Sequence, residues 1–158
     1  MGTLKIGDLA PEFDVTGLQR GERKRLRLAD FLGKKNVVLY FYPRDFTLVC
    51  TQEACGFRDM YDELVGNDTE VIGVSVDGEE SHERFAEKHG VTFPLVADPQ
   101  KELATKYGAT SAFRDLLGST KRITYLIDKQ GKIAGIFDSQ VRANSHVAGV
   151  KARVAELA

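Results

Sequence analysis

Cysteine is scarce: the chain of 158 residues has two, Cys50 and Cys55. That is too few for the disulfide framework of a small secreted scaffold. A chain of this length needs none, because it can bury roughly 70% of the surface its unfolded form exposes. Such a pair in a reducing compartment is more often catalytic, metal-binding or inert than structural. A zinc site would need a second pair of ligands, yet His82, His89 and His146 are scattered along predicted helices, so neither metal nor cofactor is expected. Excess charge of one sign is also missing. A net charge of -1 and a pI near 6.3 leave no electrostatic footprint for nucleic acid or anionic lipid. The one basic run, RGERKRLR over residues 20–27, alternates with Leu26 and Leu28 like the solvent face of a strand in an early hairpin. No membrane span is present in the hydropathy pattern. The first residues lack the apolar segment of a secretory signal, and Ile6 stands where myristoylation requires Ser or Thr. A cytoplasmic location is expected, or an organelle lumen or stroma if a transit peptide was removed. Repeats, low-complexity tracts and linker-like stretches are absent, so residues 1–158 are expected to form a single domain.

Hydrophobic periodicity orders the elements. Residues 13–16 read as a strand, Gly17 as the turn region and residues 23–28 as the return strand of an N-terminal β-hairpin. Residues 36–42 (NVVLYFY) are an almost unbroken apolar run, as in a strand covered on both faces. From about Val49 to Val65 a helix gathers Ala54, Phe57, Tyr61, Leu64 and Val65 on one side. Residues 69–76 read as a second buried strand, and residues 80–89 as a helix stopped by Gly90. A short strand over 93–96 begins at an X-Pro step, and a helix over 101–107 ends at Gly108. Residues 122–127 and 132–137 flank Asp128 to Gly131 and pair as an antiparallel hairpin, after which a helix over about 145–157 closes the chain. Strands alternating with helices, then a hairpin and a last helix, define an α/β fold with a mixed central sheet flanked by helices, the thioredoxin-like arrangement.

Cys50 falls at the turn from a buried strand into a helix. The first amides of a helix lack intrahelical acceptors and carry the positive end of its dipole, and both favour a thiolate over a thiol. Cys50 is therefore a candidate nucleophile. The surrounding segment, YFYPRDFTLVCTQEACGFRD over residues 40–59, resembles the peroxiredoxins, in particular the PrxQ or bacterioferritin comigratory protein subfamily. The PxxxTxxC motif of that family stands here as Pro43, Thr47 and Cys50, and a second cysteine five residues on, Cys55, is the mark of members that resolve within the same helix. Ser81 to Lys88, Phe93 to Asp98, Arg122 to Asp128 and His146 extend the likeness over most of the chain, while residues 109–121 align with none of these pieces. Leu48 and Val49 replace the Pro and Gly common in PrxQ members and approach the Phe-Thr-x-Val-Cys form of other branches.

The resemblance implies a thiol peroxidase that reduces hydrogen peroxide and organic hydroperoxides. In that chemistry sulfur attacks one oxygen, the O–O bond breaks and charge grows on the departing oxygen. A free thiol with a pKa of about 8.5 is only about 3% ionised at neutral pH, so lowering its pKa gains at most about thirtyfold. Positioning and electrostatic stabilisation must supply the larger share. By resemblance, Cys50 is the peroxidatic nucleophile and Thr47 accepts from the peroxide and donates to sulfur. Pro43 covers the thiolate without offering an N–H, and Arg122 sets a permanent cation beside sulfur and oxygen. Also by resemblance, Cys55 condenses with a Cys50 sulfenic acid, thioredoxin or glutaredoxin reduces the disulfide, and the chain acts as a monomer without nucleic acid or membrane partners. Cα atoms five apart in an α-helix are separated by roughly 8.6 Å, beyond the ~7 Å a disulfide spans, so that condensation requires the first helical turns to unwind. Glu53 is expected in the first turn as a dipole-favouring carboxylate without chemistry of its own, and His146 as a packing or capping residue. Tyr42 and Phe46 fit either a pocket lining or the core. A thiol-disulfide reductase of the wider thioredoxin class is disfavoured because that chemistry uses Cys-x-x-Cys.

Overall fold

The computed structural model describes residues 4–139 and 142–157. Its centre is β3 (Asn36–Phe41), buried at every position. Alternate residues serve opposite layers. Val37, Leu39 and Phe41 pack with Ile72, Val74, Leu103, Ala104 and Tyr107, whereas Val38 and Tyr40 pack with Ala54, Phe57, Leu64, Phe85, Val150 and Val154. An apolar run without polar alternation is what a strand covered on both faces requires.

Seven strands form one sheet: β1 (Asp14–Gln19), β2 (Glu22–Arg27), β3, β4 (Thr69–Ser75), β5 (Leu95–Ala97), β6 (Ile123–Ile127) and β7 (Ile133–Asp138), in the order β2-β1-β5-β4-β3-β6-β7. The β3–β4 and β4–β5 pairs are parallel, and the rest are antiparallel. The helices are α1 (Leu28–Phe31), α2 (Leu48–Gly66), α3 (Glu79–His89), α4 (Glu102–Lys106), α5 (Ala112–Leu116) and α6 (Ala143–Leu157). The mixed sheet with flanking helices and the N-terminal hairpin match the sequence reading. Gly90 closes α3 in the left-handed conformation (φ 65°) as expected.

Several local expectations need correction. Gly17 lies inside β1 rather than in the turn, because a Cβ there would sit 2.7 Å from Leu26 Cδ1. The reversal falls at Arg20 and Gly21, both at positive φ (52° and 79°), the backbone that suits the right-handed twist of a two-residue hairpin. The strand expected at 93–96 begins two residues later, since Pro94 offers its carbonyl to Gly73 N–H (3.0 Å) but has no N–H for a ladder. The inward stripe of α2 ends at Leu64, and Val65, expected on it, is 40% exposed. Residues 109–121 contain α5, whose cap Ser111 accepts from Arg114 N–H at 3.2 Å. On the outer rim of the sheet, β2 exposes Arg25 and Arg27 around the buried Leu26, as the alternation predicts, but Lys24, on the Leu26 side, is exposed as well.

Candidate active site

β3 delivers the chain to a loop over residues 42–47, and α2 starts immediately after. Thr47 has extended backbone (φ -88°, ψ 154°) and is the N-cap. The first helical bond runs from Thr51 N–H to the Thr47 carbonyl at 2.9 Å, so the amides of Leu48, Val49 and Cys50 precede the ladder. Cys50, third in the helix and 1% exposed, therefore has its sulfur at the positive end of α2.

The cation comes from the far half of the chain. Ile123 of β6 pairs antiparallel with Phe41 of β3, which brings the residue before β6 level with the loop that follows β3. That residue is Arg122. Its Nη2 donates to Cys50 Sγ at 3.0 Å and its Nη1 to Glu53 Oε1 at 3.0 Å. The fixed fork of a guanidinium suits two acceptors at once, and burial of all three residues strengthens the attraction.

Glu53 departs from the sequence expectation. The first turn of α2 has no acidic residue; Glu53 follows Cys50 by three positions, shares its inward face and is fully buried. Burial pushes its carboxyl up to about 7 against the pull of Arg122. Oε2 makes no hydrogen bond, although His146 Nδ1 lies 3.3 Å away. His146 is held between Thr124 Oγ1, 2.7 Å from Nδ1, and Ser139, whose carbonyl lies 2.8 Å from Nε2. Burial keeps the imidazole below its usual range, so it packs against Glu53 uncharged at neutral pH.

A test follows from the sign of the Glu53 shift. A carboxyl whose folded value, about 7, exceeds its reference of 4.5 binds its proton more tightly when folded. Its contribution to stability is complete below about 4.5 and lost as the pH rises to about 7. Denaturant titrations of wild type and Glu53→Gln across that window should diverge by roughly 3 kcal/mol, wild type losing ground with rising pH. Parallel curves would acquit Glu53.

The family model described as "AhpC/TSA family" matches residues 6–136. The chain belongs to that family. It is 39% identical over 150 residues to Peroxiredoxin Bcp of Escherichia coli (strain K12), covering 92% of this chain and 93% of the relative. Peroxiredoxin Q, chloroplastic, of Triticum aestivum is 37% identical over 147 residues, 92% of this chain and 64% of the relative. Among solved structures, Peroxidoxin BcpB from Mycobacterium tuberculosis superposes with a TM-score of 0.85 at 31% identity, covering 98% of this chain and 99% of that one. These relatives establish a peroxiredoxin fold, and membership implies thiol peroxidase activity.

In this peroxiredoxin the other sequence-selected residues fall as follows. Pro43 is buried in the β3–α2 loop. Thr47 is exposed, and its hydroxyl donates to the Arg44 carbonyl at 3.0 Å, so its lone pairs, not its proton, are free to meet a ligand. The donation to sulfur expected from the motif is not made in this arrangement. Cys55 is half-buried in the same continuous helix, both thiols are free, and Arg58 Nη1 lies 3.5 Å from Cys55 Sγ. Tyr42 belongs to the core, stacked on Tyr40 with centroids 5.3 Å apart; Phe46 is half-exposed and meets Phe85 edge-on.

Sequence reasoning missed Asp45 and His82. The buried Asp45 carboxylate accepts from Tyr42 Oη (2.6 Å), Ser81 Oγ (2.8 Å) and His82 Nδ1 (2.7 Å). His82 Nε2 faces the Val96 carbonyl at 3.0 Å. Both ring nitrogens thus face oxygen atoms within hydrogen-bond distance. The pair ties the β3–α2 loop to α3 and β5. A usable signal existed: His82 and Phe85 share one face of α3, and a polar ring on an apolar face needs a buried partner. A cavity of about 470 Å³ lined by Thr16, Arg23, Glu79 and Asp98 contains neither cysteine, so chemistry rather than volume marks the site. Among the described residues no helix is long and apolar enough to cross a membrane.

Proposed function

We propose that this chain reduces hydrogen peroxide and organic hydroperoxides through Cys50 and is recycled through Cys55. The observation that carries the reading is Arg122 Nη2 at 3.0 Å from a buried Cys50 sulfur in the first turn of α2. Sulfur attacks the nearer peroxide oxygen, an S–O bond forms as the O–O bond breaks, and the departing alkoxide or hydroxide takes a proton. The free amides at the start of α2 and the Arg122 guanidinium face the charge that grows on oxygen. Thr47 accepts from the peroxide O–H, and Pro43 covers the sulfur. Cys55 then attacks the Cys50 sulfenic acid; an S–S bond forms, and the S–O bond breaks with loss of hydroxide, which is protonated to water. Both cysteines lie in one unbroken helix, so this step requires the first turns of α2 to open. A dithiol partner of the thioredoxin or glutaredoxin type attacks the exposed disulfide and returns both thiols.

Intact-mass spectrometry after one equivalent of peroxide tests the scheme. Wild type should lose about two mass units, and Cys55→Ser should gain one oxygen at Cys50. Unreacted thiols in both proteins would refute the assignment.

A further inference from the structure

We infer that Arg58 is a catalytic residue of the second half of the cycle, holding charge on the Cys55 sulfur as Arg122 does on Cys50. The inference rests on the function proposed above. Arg58 follows Cys55 by three positions, on the same face of α2, and its Nη1 lies 3.5 Å from Cys55 Sγ. That nitrogen also donates to the His89 carbonyl at the end of α3 at 2.7 Å. The rest of the fork grips Asp59 Oδ1 at 2.8 and 3.0 Å. Asp59 is well exposed, so solvent weakens its claim on the cation, whereas the half-buried sulfur feels it more fully. The His89 ring itself packs on Phe85 with centroids 5.0 Å apart.

The anchor decides the role. Opening the first turns of α2 to unite the sulfurs frees the residues before Cys55, whereas Cys55 stays beside a guanidinium fastened from α3 through His89. The cation keeps its place while Cys55 becomes the attacking group. The step is Cys55 thiolate plus Cys50 sulfenic acid giving the disulfide and hydroxide, with the Cys55 sulfur oxidised and the Cys50 sulfur reduced, so no outside reagent is needed.

A cation beside a thiol raises the share of thiolate at neutral pH but makes each thiolate a poorer nucleophile. Arg58→Met and Arg58→Lys should be treated with one equivalent of peroxide and quenched over time. Dimedone would capture the Cys50 sulfenic acid, and intact mass would report the disulfide. In Arg58→Met, formation of the sulfenic acid should match wild type, while disulfide formation slows about threefold to tenfold at pH 7. Above about pH 9, where an ordinary thiol is ionised anyway, the variant should equal or overtake wild type, and lysine should restore most of the neutral rate. Equal slowing at every pH, or none, overturns the inference while leaving the proposed function intact. Failure of wild type itself to form the disulfide would remove both.

Discussion

Replacing Arg122 by methionine is expected to slow the reaction of Cys50 with hydrogen peroxide by about two to three orders of magnitude, the usual cost of losing a pre-aimed donor to developing charge. Methionine keeps much of the buried volume and removes only the fork, which spans Cys50 Sγ and Glu53 Oε1 at 3.0 Å each. The substitution also strands Glu53, a fully buried carboxyl. Without the guanidinium, burial favours the protonated carboxyl still more, and its unsatisfied oxygens cost about 1–3 kcal/mol, so part of any activity loss comes from lowered stability rather than chemistry. The double variant Arg122→Met/Glu53→Gln separates the two: it should regain stability in denaturant titrations and remain as slow in stopped-flow peroxide oxidation. Lysine at position 122 keeps the charge but cannot serve both acceptors in one plane, and should fall between. A rate within threefold of wild type in the double variant would eliminate the guanidinium from the peroxide step.

His82→Leu should be the most destabilising single change outside that centre. It deletes the ring whose Nδ1 lies 2.7 Å from Asp45 Oδ2 and leaves that carboxyl with two hydroxyl donors in a site closed to solvent. The expected loss is about 3–5 kcal/mol, or a fall in Tm of roughly 6–20 °C for a chain of this size. Because Asp45 belongs to the loop that presents Thr47 and the start of α2, peroxide reactivity should decline at temperatures where the variant is still folded. Asp45→Ala added to His82→Leu should recover most of the stability, since removing both partners leaves no buried charge uncompensated. If the double variant is no more stable than the single one, the buried pair is not what holds this loop.

The sheet and its flanking helices could be read from periodicity because they obey simple rules: β3 is covered on both faces, and α2 turns one stripe inward. Cys50, Thr47 and Arg122 were legible through the motif and its likeness to a family. What stayed hidden depended on the starting point of an element or on partners distant in sequence. Glu53 was misplaced because α2 begins at Leu48, which moves this carboxyl out of the first turn and under the guanidinium. Gly17 looked like a turn residue, yet its role is to make room for Leu26 across a strand pair. Asp45 and His82 are 37 positions apart: the apolar face of α3 signals that His82 needs a buried partner, but nothing local says that the partner is a loop acid.

Cys50 and Arg122 are separated by 72 positions and brought together only through the pairing of β3 with β6. While the ribosome is still adding the later half, the Cys50 sulfur of the growing polypeptide has no guanidinium beside it for roughly 4–14 s at typical elongation speeds. On the function proposed here, reaction of that sulfur with peroxide should quicken only once β6 has been made and paired, so the unfinished chain should be oxidised more slowly than the finished one.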